Sequence, residues 1–217
     1  MQTTTFTAVF WDFGGAILSS PFDAFNAYER KHGLPIDFIR TINSRNPDTN
    51  AWALIERRQV GAVEFDQLFA AESAALGHPV PGRDVLGMLH GSVRPEMVVA
   101  LDRVIAAGFV TACLTNNVSS NRSSTSSDDH ARPEVEAVMA RFDHVIESSK
   151  VGCRKPEPEF YELACSAAEV APEQVVFLDD LGINLKPART MGMTTIKVGA
   201  ADQAITELES VLGITLR

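Results

Sequence analysis

The feature that most constrains this chain is an alternation of short apolar runs with segments of helical periodicity. A bounded apolar run of about four to eight residues reads as a strand covered on both faces. Phe6–Trp11, Phe109–Leu114, His144–Glu147, Val175–Leu178 and Thr194–Val198 are the candidate strands. Between them, Pro95–Ala107 places Met97, Val98, Leu101, Val104 and Ile105 on one helical face and stops at Gly108. Pro158–Ala168 and Asp202–Leu212 have the same character, and Pro133–Arg141 and Leu185–Met191 complete the set. Strands alternating with helices predict an α/β fold, a Rossmann-like doubly wound parallel sheet. With 217 residues the chain is long enough for such a domain and a smaller accessory unit.

One stretch breaks the rhythm. Residues 18–93 carry helical periodicity and no convincing strand, with candidate helices at Phe22–His32, Ile36–Ser44, Asn50–Arg58, Glu64–Leu76 and Arg83–His90. A plain crossover between parallel strands needs far less chain, on the order of a dozen residues. An inserted α-helical cap at 18–93 is therefore expected, above a core made of 1–17 and 94–217. A helical extension packed on the sheet's edge stays open. Ser119–Asp129, with six serines, one threonine and two aspartates, has too little apolar surface to bury. It reads as a solvated loop, with a lid as the other possibility.

Composition narrows the function classes. A net charge of −9 argues against a nucleic-acid or anionic-membrane surface, both of which need clustered Lys and Arg. Three cysteines, Cys113, Cys153 and Cys165, form no CxxC pair, and they read as reduced thiols of a cytoplasmic protein. No run approaches membrane-spanning length. Asn117-Val118-Ser119 and Asn121-Arg122-Ser123 match the glycosylation pattern by chance, since no secretory signal precedes them. The chain carries no phosphate-binding GxxxxGK[ST] loop, no HExxH and no GxSxG elbow.

Three candidate strands end in polar residues: Trp11 gives way to Asp12, Leu114 to Thr115-Asn116-Asn117, and Leu178 to Asp179-Asp180. In an open parallel sheet, ligands bind outside the carboxyl ends of the strands. A single Asp after a strand is usually a turn former. Three such endings with a lysine arriving from a loop make a candidate site.

Those residues carry a resemblance. Val9-Phe10-Trp11-Asp12-Phe13-Gly14-Gly15-Ala16 resembles the first motif of the haloacid-dehalogenase-like hydrolases, and Leu114-Thr115-Asn116 the second. Gly152-Cys153-Arg154-Lys155-Pro156-Glu157-Pro158 resembles the third motif, and the run from Phe177 through Asp179-Asp180 to Arg189 the fourth. Phe142 to Leu216 is especially similar to the N-terminal phosphatase domain of soluble epoxide hydrolase. The resemblance implies Asp12 as covalent nucleophile and Thr115, Asn116 and Lys155 as phosphoryl-binding groups, Thr115 and Lys155 also serving catalysis. It implies Mg²⁺ held by Asp12, the backbone carbonyl of Gly14 and Asp180, with Asp179 supporting. Oxygen-only ligation of this kind suits Mg²⁺. Lys186 and Arg189 read as surface residues of a helix.

The chain departs from the pattern at Gly14, where phosphatases of the family usually carry a second Asp that serves as general acid and base. Three readings follow. The first is a phosphatase with an atypical Gly14, selective for good leaving groups or using an acid from the cap; Asp23, His32 and Glu56 are the candidates. The second is a 2-haloacid dehalogenase-type hydrolase, and the third a catalytically degenerate binding module. The first is favoured, because paired aspartates make sense as a cation site. The expected partner is a small phosphorylated metabolite rather than nucleic acid or membrane, bound by a monomer or homodimer.

Overall fold

Every residue of Ala8-Val9-Phe10-Trp11 is apolar, so both faces of the strand it forms must be covered by protein. The computed structural model describes residues 5–89, 91–117 and 132–217, and it places this strand (β1, Ala8–Asp12) at the centre of a sheet. The other strands are β2 (Val110–Thr115), β3 (His144–Glu147), β4 (Val175–Asp179) and β5 (Thr194–Lys197). All pairings are parallel and the order is β3-β2-β1-β4-β5. The chain steps outward from β1 to β3, then restarts on the other side at β4. That reversal beside β1 is the topological switch point, where an open α/β sheet leaves a crevice at its strand ends.

Alternation along β1 sends its side chains to two cores. Val9 and Trp11 pack with Met97, Leu101 and Val104 of α6 (Pro95–Ala106) and with Ile205 and Leu208 of α11 (Ala201–Leu212). Ala8 and Phe10 pack with Phe160, Tyr161 and Ala164 of α9 (Pro158–Ala168) and with Leu185 and Ala188 of α10 (Gly182–Thr190). The sheet is thus doubly wound, as the sequence predicts.

Between β1 and α6 lies a helical insertion: α1 (Phe22–His32), α2 (Phe38–Ser44), α3 (Ala51–Glu56), α4 (Ala62–Ala74) and α5 (Gly82–Gly87). Its apolar residues, among them Phe25, Ile39, Ile42, Ile55, Phe65, Phe69 and Val85, form a third cluster that contains no residue of the sheet. The chain leaves and returns side by side. Leu18 bridges Val93 antiparallel, Ser19 N–H donates to Ser92 O at 2.8 Å, and Arg94 N–H donates to Ile17 O at 2.9 Å. Gly91 sits where the two segments touch, since a Cβ there would lie 2.5 Å from Ser19 O.

Apart from small shifts of element ends, three differences from the sequence expectation stand out. Helix α2 starts at Phe38 rather than Ile36, because Asp37 takes a left-handed φ of 58° and the buried Glu29 carboxylate accepts the N–H groups of Asp37 and Ile39, both at 2.9 Å. Helix α10 starts three residues early, because Asp179 Oδ1 accepts the Leu181 N–H at 2.8 Å and sets the first turn. A single helical turn, α8 (Ser148–Val151), follows β3 where none was expected; α7 (Arg132–Met139) precedes that strand. The serine-rich 119–129 segment lies outside the described residues, and within them no helix is long and apolar enough to cross a membrane.

Leu101 is fully buried between sheet and helix, so Leu101→Ala is expected to cost about 2–5 kcal/mol of unfolding free energy in a urea melt. Ile36, 88% exposed, should tolerate Ile36→Ser within about 0.5 kcal/mol in the same measurement.

Candidate active site

The parallel register brings the polar strand ends together. Asp12 is the last residue of β1, opposite Leu114, so Thr115 and Asn116 follow directly alongside it. Asp179 is the last residue of β4 on the other side. Lys155 reaches into this gap from the loop after α8 and is only 1% exposed. Its Nζ donates to Asp12 Oδ1 at 2.7 Å and to Asp179 Oδ2 at 2.8 Å. A buried ammonium is stable only when charge and hydrogen bonds compensate its lost hydration. Here two carboxylates do so: burial alone would lower its pKa, but Asp12 and Asp179 outweigh it and hold Lys155 protonated above the usual lysine range.

Asp12 is the poised group. The Phe13 N–H also donates to Asp12 Oδ1, at 2.8 Å. Among the described residues both donors fall on Oδ1, which leaves Oδ2 available. Burial first, then the charges of Asp179 and Asp180, push the Asp12 carboxyl well above the ordinary range, while Lys155 opposes the shift.

The two fourth-motif aspartates differ. Asp179 is fully buried and engaged at both oxygens: Oδ1 accepts from Leu181 N–H, Oδ2 from Lys155, and Asn184 Nδ2 lies 3.1 Å from each. Asp180 is half-buried and accepts from Ser20 Oγ at 3.1 Å. Burial and then the Asp179 charge push Asp180 up to about 6.

Asp12, Asp179 and Asp180 offer oxygens that all lie within 4.8 Å of one another. Three carboxylates against one ammonium leave excess negative charge, and a hard, oxygen-seeking divalent cation fits that donor set. The loop after β1 is shaped around it. Gly15 has φ +95°, and a Cβ there would sit 2.3 Å from the Asp180 carboxyl carbon, so only glycine lets Asp180 lie over this loop. At Gly14 a Cβ would meet nothing within 4 Å.

The sequence-predicted residues thus converge, with Thr115 buried at the end of β2 and Asn116 fastened to the lysine loop. Asn116 Nδ2 donates to Lys155 O and Lys155 N–H donates to Asn116 Oδ1, each at 2.9 Å. Asp23 and His32 are exposed, His32 stacking on Tyr28 at 4.1 Å, whereas Glu56 is buried against the site's edge. Lys186 and Arg189 are exposed as expected, Arg189 donating to Thr195. Three groups were not singled out from the sequence. Asn184 stood inside the fourth motif and was readable as an amide five residues after Asp179. Ser20 and Arg57 carry no sequence signal, whereas Glu157, the partner of Arg57, stood inside the third motif.

A buried carboxylate gripped by a lysine at the switch point of a parallel sheet, with two further carboxylates beside it, places the chain among α/β proteins with an acidic site at the strand ends. The chain belongs to the haloacid dehalogenase-like hydrolase family, whose model matches residues 6–192. It is 31% identical to mouse acyl-CoA dehydrogenase family member 10 over 219 residues, covering 98% of this chain and 20% of the relative. It is 32% identical to mouse bifunctional epoxide hydrolase 2 over 222 residues, covering 94% of this chain and 38% of the relative. The chain therefore spans about a fifth to two fifths of those relatives. Among solved structures, it shares its fold with a family enzyme from Bacteroides thetaiotaomicron in complex with magnesium and inorganic phosphate (TM-score 0.60, 17% identity, 94% and 98% coverage of this chain and that one). It also matches L-2-haloacid dehalogenase from Xanthobacter autotrophicus with chloropropionic acid covalently bound (TM-score 0.60, 18% identity, 98% and 85% coverage).

Because the Asp180 pKa is raised to about 6, the cation-free fold keeps a proton there below that pH, and a cation must displace it. Ionising Asp180 costs stability as pH rises from its unfolded value through about 6, and a bound cation removes that cost. Mg²⁺ should therefore raise the melting temperature more at about pH 7.5 than at about pH 5. Gly15→Ala should abolish the Mg²⁺ effect, and Gly14→Ala, which meets no neighbour, should keep it.

Proposed function

We propose that the chain is a Mg²⁺-dependent phosphatase of small phosphomonoesters that works through Asp12, with residues 18–93 as a cap over the strand ends. The observation that carries this reading is Asp12 itself: one oxygen is fixed by Lys155 and Phe13 N–H, the other is left for attack, and Asp180 stands close by. The magnesium and phosphate bound by the Bacteroides enzyme support it. Three free cysteines suit a reducing, cytoplasmic setting.

Asp12 Oδ2 attacks phosphorus, the bond to the ester oxygen breaks, and the alcohol leaves with that electron pair. Asp12 then carries the phosphoryl group as an acyl phosphate. Water attacks phosphorus in the second step, releasing inorganic phosphate and restoring the carboxylate. Lys155 neutralises both the nucleophile and the phosphoryl oxygens, while Thr115 and Asn116 donate to those oxygens. Asp12, the Gly14 carbonyl and Asp180, with Asp179 in support, would hold the cation, whose charge would offset the repulsion between two anionic reactants. The core groups address only the phosphoryl unit, so the helical insertion chooses the rest of the substrate.

Gly14 has a mechanistic cost. No side chain there protonates the departing alkoxide or deprotonates the attacking water, help that is worth ~10²–10⁴ in rate. Substrates with good leaving groups are favoured, and the acyl phosphate on Asp12 should accumulate because its hydrolysis lacks a base.

Phosphate release from an aryl phosphate should require Mg²⁺ and vanish in Asp12→Asn. Metal-independent halide release from a 2-haloacid would overturn the reading and favour the chemistry of the Xanthobacter enzyme. Gly14→Asp, whose Cβ would meet nothing within 4 Å, should speed poor leaving groups by up to about 10²–10⁴-fold and good ones less. Equal acceleration of both would contradict the assigned role of position 14.

A further inference from the structure

Two consecutive insertion residues grip the loop that carries Lys155. Glu56, at the end of α3, pairs with Arg154, and both are buried. Arg57 pairs with Glu157, its Nε lying 2.9 Å from Glu157 Oε1. Each core partner flanks Lys155 in sequence: Arg154 precedes it by one residue and Glu157 follows by two. The two arginines also tie into the loop before α3, Arg154 donating to Pro47 O at 3.1 Å and Arg57 to Asp48 O at 2.8 Å. Trp52 Nε1 donates to Glu56 Oε1 at 3.0 Å, and Glu56 Oε2 stands 3.5 Å from Asn116 Nδ2.

The polarity is crossed. Glu56 and Arg57, acid then base at the end of α3, meet Arg154 and Glu157, base then acid on the loop, so exchanging the two partners would set like charges together. A buried ion pair is a poor adhesive, because desolvation offsets most of its Coulomb attraction. What it supplies is register. That register bears directly on Lys155, whose backbone N–H and C=O are both bonded to the Asn116 side chain beside Glu56.

We propose that Glu56 is a positioning residue, whose bond to Arg154 makes docking of the insertion helix the condition under which Lys155 reaches Asp12 and Asp179. The catalytic consequence rests on the reading of Asp12 and Lys155 given under Proposed function; the structural coupling does not. An undocked insertion would leave the lysine loop without its outer support, so Lys155 is drawn fully into the nucleophile only when the site is covered. The cap then selects the substrate and also completes the reacting centre.

Hydrogen exchange read by mass spectrometry on the full chain tests the coupling without any substrate. Glu56→Gln keeps the size and removes the charge, and it should speed exchange in the 152–157 loop at least tenfold while leaving β5 and α11 unchanged. If Glu56→Gln does not fold, Arg57→Gln breaks the less buried pair and should give a smaller rise in the same loop. Unchanged exchange in that loop would overturn the proposal. The second arm is turnover of an aryl phosphate with Mg²⁺. Glu56→Gln should lower kcat roughly 10- to 100-fold, with KM moving less than about twofold. In a Lys155→Ala background it should have no further effect. An equal loss in both backgrounds would mark a general loss of stability and overturn the proposal. If the wild-type chain releases no phosphate at all, the phosphatase reading fails and the exchange arm alone decides the coupling.

Discussion

The structure depends on one buried cation. Lys155 lies between the ends of β1 and β4 and spans Asp12 and Asp179, two carboxylates that would repel each other in its absence. Their approach requires β1 and β4 to be neighbours in parallel register, which requires the apolar run of β1 to be covered on both faces by α6, α11, α9 and α10. Asp179 could not serve without its own fastening by Leu181 N–H and Asn184, so the first turn of α10 belongs to the same unit. Fold and site share a single set of constraints. The hydrophobic cores fix strand order, and strand order fixes which charges meet.

Two adjacent glycines serve opposite ends. Gly15 is demanded by space and backbone, since a side chain would strike the Asp180 carboxyl and its φ is left-handed. Gly14 is demanded by neither; the position is open. Its lack of a side chain is therefore not required by packing. Under the proposed mechanism it slows both proton-transfer steps without disturbing the cation site, whose ligand there is a backbone carbonyl.

Much of this was legible in the sequence, for identifiable physical reasons. Short apolar runs report double-sided burial, and they located all five strands. Polar residues at the ends of those runs report the sheet's carboxyl edge, and Asp12, Thr115, Asn116, Lys155, Asp179 and Asp180 do meet there. Helix starts were less legible where a side chain sets them, as Glu29 does for α2 and Asp179 for α10. The least legible contacts join the insertion to the core. Glu56 and Arg154 are 98 residues apart, and neither has a local pattern that names the other. Glu56 appeared among three candidates for a proton donor, and it is buried in a pair with Arg154, the residue before Lys155.

The central claim is that Asp12 becomes covalently phosphorylated. An acid quench during turnover of an aryl phosphate with Mg²⁺, followed by borohydride reduction and peptide mass spectrometry, tests it most directly. The account predicts conversion of residue 12 to homoserine, readily detected because Gly14 leaves the acyl phosphate slow to hydrolyse, and absent in Asp12→Asn. Phosphate release with residue 12 unmodified, or with the phosphoryl group on another side chain, would contradict it.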